Sequence, residues 1–106
     1  MTDQGTIFDK IISKEIPATI VYEDDFVLGF NDINPKAPIH VLFIPKVRIN
    51  THNDINADNV DYVAKMHLAI NAYVKEVGED AKGYRVVMNC NKNGQQTVYH
   101  IHMHLL

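Results

Sequence analysis

The sequence predicts an α+β fold: one domain over residues 1–106, with five strands in an antiparallel sheet, a short N-terminal helix and one long helix. Three observations carry this expectation. Short apolar runs, bounded by turn-forming residues, lie on either side of a single long segment with helical periodicity. Their connections are short, as antiparallel pairing allows and parallel crossovers do not. The chain ends on Val98–Leu106, in which His100, His102 and His104 alternate with Ile101, Met103 and Leu105. Alternation with period two is the mark of a strand with two unlike faces.

Taken in order, Thr6 is placed to cap a first helix, with Asp9 in its first turn and Ile7, Phe8, Ile11 and Ile12 at helical spacing. Lys14, Glu15 and Pro17 end it, since proline disfavours helix at the preceding residue. Ile20–Tyr22 and Phe26–Phe30 flank an acidic turn and read as a hairpin. Asn31–Pro38 is a break rich in turn formers. Asp32 within it is read either as a turn cap or as an acceptor for sugar hydroxyls. Ile39–Pro45 is a strand too apolar to be solvated on either face, with His40 near its start as a core residue or as a partner for other histidines. Lys46–Asn56 is a polar connection in which His52 is expected to be solvated.

The long helix is expected over Ala57–Val77. Val60, Val63, His67, Ile70, Val74 and Val77 recur at spacings of three and four and suggest one buried stripe, with His67 packed or half-buried. Asn56 or Asp58 suits the start, and Gly78 the C-terminal stop. Gly83–Asn89 is a strand, Cys90–Thr97 a polar loop, and the histidine segment the last strand of a hairpin. Gly94 in that loop would let backbone approach a ligand.

Composition narrows the function. The 106 residues are 46% hydrophobic and 22% charged, with a net charge of -3. Without a basic excess, binding to a nucleic acid backbone is not favoured. Cys90 is the single cysteine, which excludes an internal disulfide and a multi-cysteine zinc site. No apolar leader precedes Ile7 and no apolar run reaches membrane-spanning length. A cytoplasmic protein, without a membrane or nucleic acid partner, is expected.

Three imidazoles on one strand face allow two chemistries. One is metal binding. On an extended strand, however, His100 and His104 lie roughly 13 Å apart, so one ion cannot take all three; His40 or a carboxylate would have to contribute. The other is covalent catalysis. A neutral imidazole attacks an electrophilic phosphorus, a partner fixes its tautomer, and donors hold the phosphoryl oxygens. His102, at the centre, is the candidate nucleophile, with its second nitrogen held by His40 or His100. His104 and the Asn/Gln/Thr loop are candidates for oxygen binding or leaving-group protonation.

The segment His100–Leu106 matches the histidine triad motif, three histidines each followed by an apolar residue, then a further apolar one. Thr6-Ile7-Phe8, Lys14-Glu15-Ile16-Pro17, Asp32-Ile33-Asn34-Pro35-Lys36-Ala37-Pro38 and Gly94-Gln95 extend the match over nearly the whole chain. The sequence therefore resembles the Hint branch of the histidine triad superfamily. The resemblance implies a five-stranded sheet and a homodimer that joins two such sheets. It implies a purine nucleoside phosphoramidase, which splits the P–N bond of AMP–amine conjugates through a nucleotidyl-histidine intermediate. No metal or other cofactor is implied. His102 corresponds to the nucleophile; His104 would contact phosphate or leaving group, supported by His100 and His40. Asn89 and Thr97 would bond near the phosphate, with Gln95 and Gln96 in the same loop. Asp32 would bind ribose, and Ile7, Phe8, Ile11, Phe30 and Ile33 would line the base pocket. Thr97 stands where the family often has serine, which keeps the hydroxyl. Family members continue through a Gly-Gly-Arg-like turn into a tail, which this sequence, ending at Leu106, is expected to lack. The alternatives are an AMP-binding adaptor with incidental turnover and a dinucleotide hydrolase of the same superfamily.

Overall fold

A computed structural model describes residues 5–106. Helix α1 is Ile7–Ile12, strand β1 is Ile20–Glu23, β2 is Val27–Asn31 and β3 is Val41–Pro45. A 3-10 turn at His52–Asp54 precedes helix α2, Val60–Glu76, followed by β4, Val86–Val87, and β5, Met103–Leu105. The five strands form one sheet in the order β1-β2-β3-β5-β4, and every neighbouring pair is antiparallel.

β3 sits at the centre of the sheet and is buried along its whole length. Its alternating side chains feed two separate cores, as the pleat requires. Val41 and Phe43 join Val27, Met103 and Leu105 beneath Met66, Ala69, Ile70 and Val74 of α2. Leu42 and Ile44 join Leu28, Phe30, Phe8 and Ile11 beneath α1. The sheet is thus a partition, with the long helix on one side and the short helix on the other.

Several boundaries differ from the sequence expectation: the central strand starts at Val41 in place of Ile39, and three other elements change more. The last strand forms ladder bonds over Met103–Leu105 alone, because Val98–His102 crosses the loop that leaves β3: Ile101 N–H donates to Ile49 O at 2.7 Å. The two-faced alternation nevertheless persists. Ile101 packs under α2, while His100 and His102 face Phe8 of α1. The preceding strand shrinks from Gly83–Asn89 to Val86–Val87, with one further pairing of Arg85 and Leu106 backbones in both directions.

Helix α2 begins three residues later than expected. Asn56 uses its side-chain oxygen on the N–H groups of Asp58 and Asn59, forming a turn ahead of the helix. Its buried stripe is also rotated: Met66, Ala69, Ile70 and Val74 face the sheet, whereas Val60, His67 and Val77 are exposed. Met66 and Ala69 were the signals to weigh, for both fall at helical spacing with Ile70 and Val74. The expected C-terminal stop is present. Gly78 adopts φ +77°, Glu79 N–H reaches Val74 O at 2.9 Å and Gly78 N–H reaches Lys75 O at 3.3 Å, which together form a Schellman motif.

Candidate active site

Helix α1 is fixed by a capping box. Phe8 N–H donates to Thr6 Oγ1 at 3.2 Å, and Thr6 N–H donates to Asp9 Oδ2 at 2.8 Å. The cap turns Phe8 inward, where its ring meets Phe30 at 5.6 Å and His102 at 5.0 Å, both edge-on. Phe8, Phe30, Ile11, Ile16 and Leu42 wall a cavity of about 270 Å³ that Asp32, Thr97, His102 and His104 close at its other end. Ile7 lines its edge, and Ile33 stands at the rim, 90% exposed.

The hydrogen bonds around the rings decide their tautomers. Lys36 N–H donates to His40 Nδ1 at 3.0 Å, so a neutral His40 carries its proton on Nε2. That nitrogen lies 2.9 Å from His104 Nδ1 and 3.4 Å from Asp32 Oδ2. His104 therefore accepts at Nδ1 and holds its own proton on Nε2. His102 is set the opposite way. Its Nδ1 donates to the His100 carbonyl at 2.9 Å, which leaves the lone pair on Nε2. The expected partner ring for His102 is replaced by backbone, and His40 serves His104 instead.

Burial favours the uncharged form of His100, His102 and His104. It pushes His102 below the ordinary imidazole value, against the opposing pull of the His100 carbonyl bond. His104 is brought down to about 4, by burial first and then by its neighbours His102 and His40. His100 is held low by burial, partly offset by its Nε2–H bond to Pro45 O at 2.8 Å. His100 is fully buried and serves the site through its carbonyl.

The loop Cys90–Thr97 meets the expectation in part. Thr97 lines the cavity. Asn89 lines a second, polar trough of about 660 Å³ on the far side of His104, and its amide donates to Gly94 O at 2.6 Å. Gln95 and Gln96 are not brought to either space. Gln95 sits at φ +62° on an exposed turn. Gln96 is buried and pins the loop, donating to Asn50 O at 2.7 Å and Val98 O at 3.0 Å and accepting from Asn91 N–H. Gly94 is required by the turn itself, since a Cβ there would meet the Cys90 backbone. Ile16, Pro17, Ala18, Asn31, Leu42 and Val98 complete the cavity; Ile16 and Pro17 belong to the Lys14–Pro17 motif, and the other four carried no signal that set them apart from core or turn residues.

Another hollow, about 190 Å³ beneath Tyr73, Val77 and Leu105, is apolar and holds no histidine.

Among the described residues, Asp32, His40 and His104 form one group whose donor atoms all lie within 4.8 Å of one another. Two nitrogens at zinc's usual distance of about 2.0–2.1 Å must stand further apart than a hydrogen bond holds them. His40 Nε2 and His104 Nδ1 are 2.9 Å apart with a proton between them. As built, this group fits a proton and not a resident metal.

A family model described as "Scavenger mRNA decapping enzyme C-term binding" matches residues 5–106. A crystal structure of a histidine triad protein from Clostridium difficile superimposes with a TM-score of 0.94 at 47% identity, covering 100% of this chain and 92% of that one. The chain belongs to the histidine triad family. Within it, the purine nucleoside phosphoramidase of Escherichia coli is 48% identical, over 97% of this chain and 87% of its own. Adenylylsulfatase HINT1 of Arabidopsis thaliana is 47% identical, over 99% of this chain and 72% of its own. A Zea mays relative, 49% identical over 100% of this chain and 84% of its own, is named a 14 kDa zinc-binding protein. The three histidines that define the family are the ones the sheet and the β3 loop bring to bear here, with His102 and His104 at the cavity.

Proposed function

We propose that this histidine triad protein is a purine nucleoside phosphoramidase that hydrolyses AMP–amine conjugates through a nucleotidyl-histidine intermediate. The observation that carries the reading is His102: a buried, neutral ring whose Nδ1 is committed to a carbonyl, leaving Nε2 as a nucleophile at the polar end of an apolar cavity. The apolar walls suit a purine, and Asp32 beside them suits ribose hydroxyls. The phosphoryl anion, bound beside His104, favours a second proton on that ring; it enters at Nδ1, and His40 moves its own proton from Nε2 to Nδ1 to accept it, giving up the bond from Lys36 N–H. In the first step His102 Nε2 bonds to phosphorus, the P–N bond breaks, and the departing nitrogen takes the His104 proton. In the second, water attacks phosphorus, His104 takes its proton, and AMP leaves with His102 restored. No metal enters either step.

The decisive experiment is turnover of adenosine 5′-phosphoramidate with chelator present, wild type beside His102→Ala. Loss of a covalent nucleophile is expected to reduce turnover by about a thousandfold or more. AMP binding with no turnover by wild type would favour an adaptor, and turnover that chelator abolishes would favour a metal.

The homodimer belongs to the same proposal. β4 is a two-residue edge strand with Val86 exposed, and a groove beside it is lined by His52, Val63, His67, Val86 and Met88. A second copy pairing edge to edge would cover it. A cytoplasmic location is also proposed; cell fractionation checks it.

A further inference from the structure

The nucleotide cavity and the polar trough share three lining residues, Asp32, Thr97 and His104. His102 lines the cavity alone. In a displacement at phosphorus, the attacking and departing atoms lie roughly in line on opposite sides. With His102 attacking from the cavity side, the departing group lies on the side of His104 that opens into the trough.

The charge of that trough is uneven. Lys36 and Arg85 line it, and neither side chain has a hydrogen bond or ion pair to another described residue. Asp32 is the one carboxylate side chain among the lining residues, and it is engaged. Its Oδ1 accepts from Asn34 N–H at 2.8 Å and its Oδ2 lies against His40. The other titratable side chains are His40 and His104, bonded to each other. In a chain with 13 acidic residues against 10 basic ones, two unpaired cations facing one space are not the average surface.

Both cations are anchored by backbone that serves the site. Lys36 N–H holds His40 Nδ1. Arg85 N–H donates to Leu106 O and its carbonyl accepts from Leu106 N–H, each at 3.0 Å, directly beyond β5. Asn34 and Asn89 add uncharged amides.

We propose that this trough is the leaving-group subsite and that it selects amines carrying a negative charge, such as an amino acid joined to AMP through its nitrogen with its carboxylate free. The proposal rests on the phosphoramidase reading and adds to it the class of amine. Lys36 and Arg85 bind the carboxylate while His104 protonates the nitrogen.

The test compares two adenosine 5′-phosphoramidates of nearly equal size, one of glycine (anionic) and one of glycinamide (neutral). Their intrinsic reactivities differ, so the quantity read is the ratio of their kcat/KM values, in wild type and in the Lys36→Gln/Arg85→Gln double variant. Two partly exposed charge contacts are expected to make the glycine:glycinamide ratio about three- to tenfold higher in wild type than in the double variant. Raising the salt concentration should shrink that difference. A ratio unchanged within twofold overturns the subsite and leaves the phosphoramidase reading standing. Hydrolysis of neither compound by wild type overturns both. The glycinamide rate reports whether the double variant folds. Should that variant fail to fold, Lys36→Glu alone decides: it is expected to move preference away from glycine and towards the cationic ethylenediamine amidate, and no such movement overturns the proposal.

Discussion

Phe8 shows how one side chain serves two ends. It is buried against Phe30 in the core under α1 and presents its edge to His102. Phe8→Ala is expected to cost about 3–5 kcal/mol of stability and to raise the KM for the nucleotide, measured by denaturant unfolding and by steady-state rates. The histidines make a separate prediction. In the unfolded chain their rings take a proton near the ordinary value of 6.5; in the folded protein His104 holds off until about 4, and His100 and His102 are also held low. The unfolded state therefore binds more protons below neutrality. Stability is complete above about pH 6.5 and falls as the pH drops towards 4. Denaturation midpoints at pH 7.5 and pH 5 test this, and a midpoint no lower at pH 5 contradicts it.

At the residue scale the sequence exposed chemistry better than partnership. Three imidazoles in alternation show themselves in any strand-like segment, and Asp32 at a turn was visible as a candidate. What fixes each tautomer was not visible, because the partners are main-chain groups of Lys36 and His100, and a peptide N–H or carbonyl carries no signature of its own. Gln95 and Gln96 misled for a related reason. An amide beside a site has the same composition whether it meets a ligand or ties its own loop together.

Among the elements, α2 gives the clearest test of local rules. Its C-terminus needs a residue at φ +77°, which Gly78 supplies. Gly78→Ala is expected to destabilise by about 1–2 kcal/mol, read as a shift in the unfolding midpoint, while turnover stays at the wild-type level because α2 packs on the opposite face of the sheet from the cavity. Helix and strand identities, and their order, were legible from periodicity. The buried stripe on α2 differs from the periodic one because Met66 and Ala69 serve equally well on a buried or an open face, and Val60 and Val77, though apolar, lie at the exposed ends of the helix. The shortened β4 and β5 were illegible because pairing length depends on the path of a neighbouring loop, here the one through Ile49.

For the whole molecule, the sheet separates the site from α2, and the edge at β4 is left with exposed Val86 beside exposed His67. If two copies join there, Val86→Glu puts like charges opposite each other at the seam and yields monomers by sedimentation at micromolar concentration. A wild type that is already monomeric under those conditions contradicts the dimer. The fold class could be read from the sequence because its determinants are local and periodic. The meeting of two cavities at His104 could not, since it joins the turn after β2, the start of β3 and the end of β5, the last two already 64 positions apart at His40 and His104.

The chain of rings from His40 to His104 begins at the peptide N–H of Lys36. A peptide N–H does not titrate at any pH an enzyme meets, so while both rings are neutral the direction in which the two imidazoles point their protons is set at its source. Proline at position 36 would remove the anchor, free the His40 ring to carry its proton at either end, and turn a one-way conductor into one with no preferred sense.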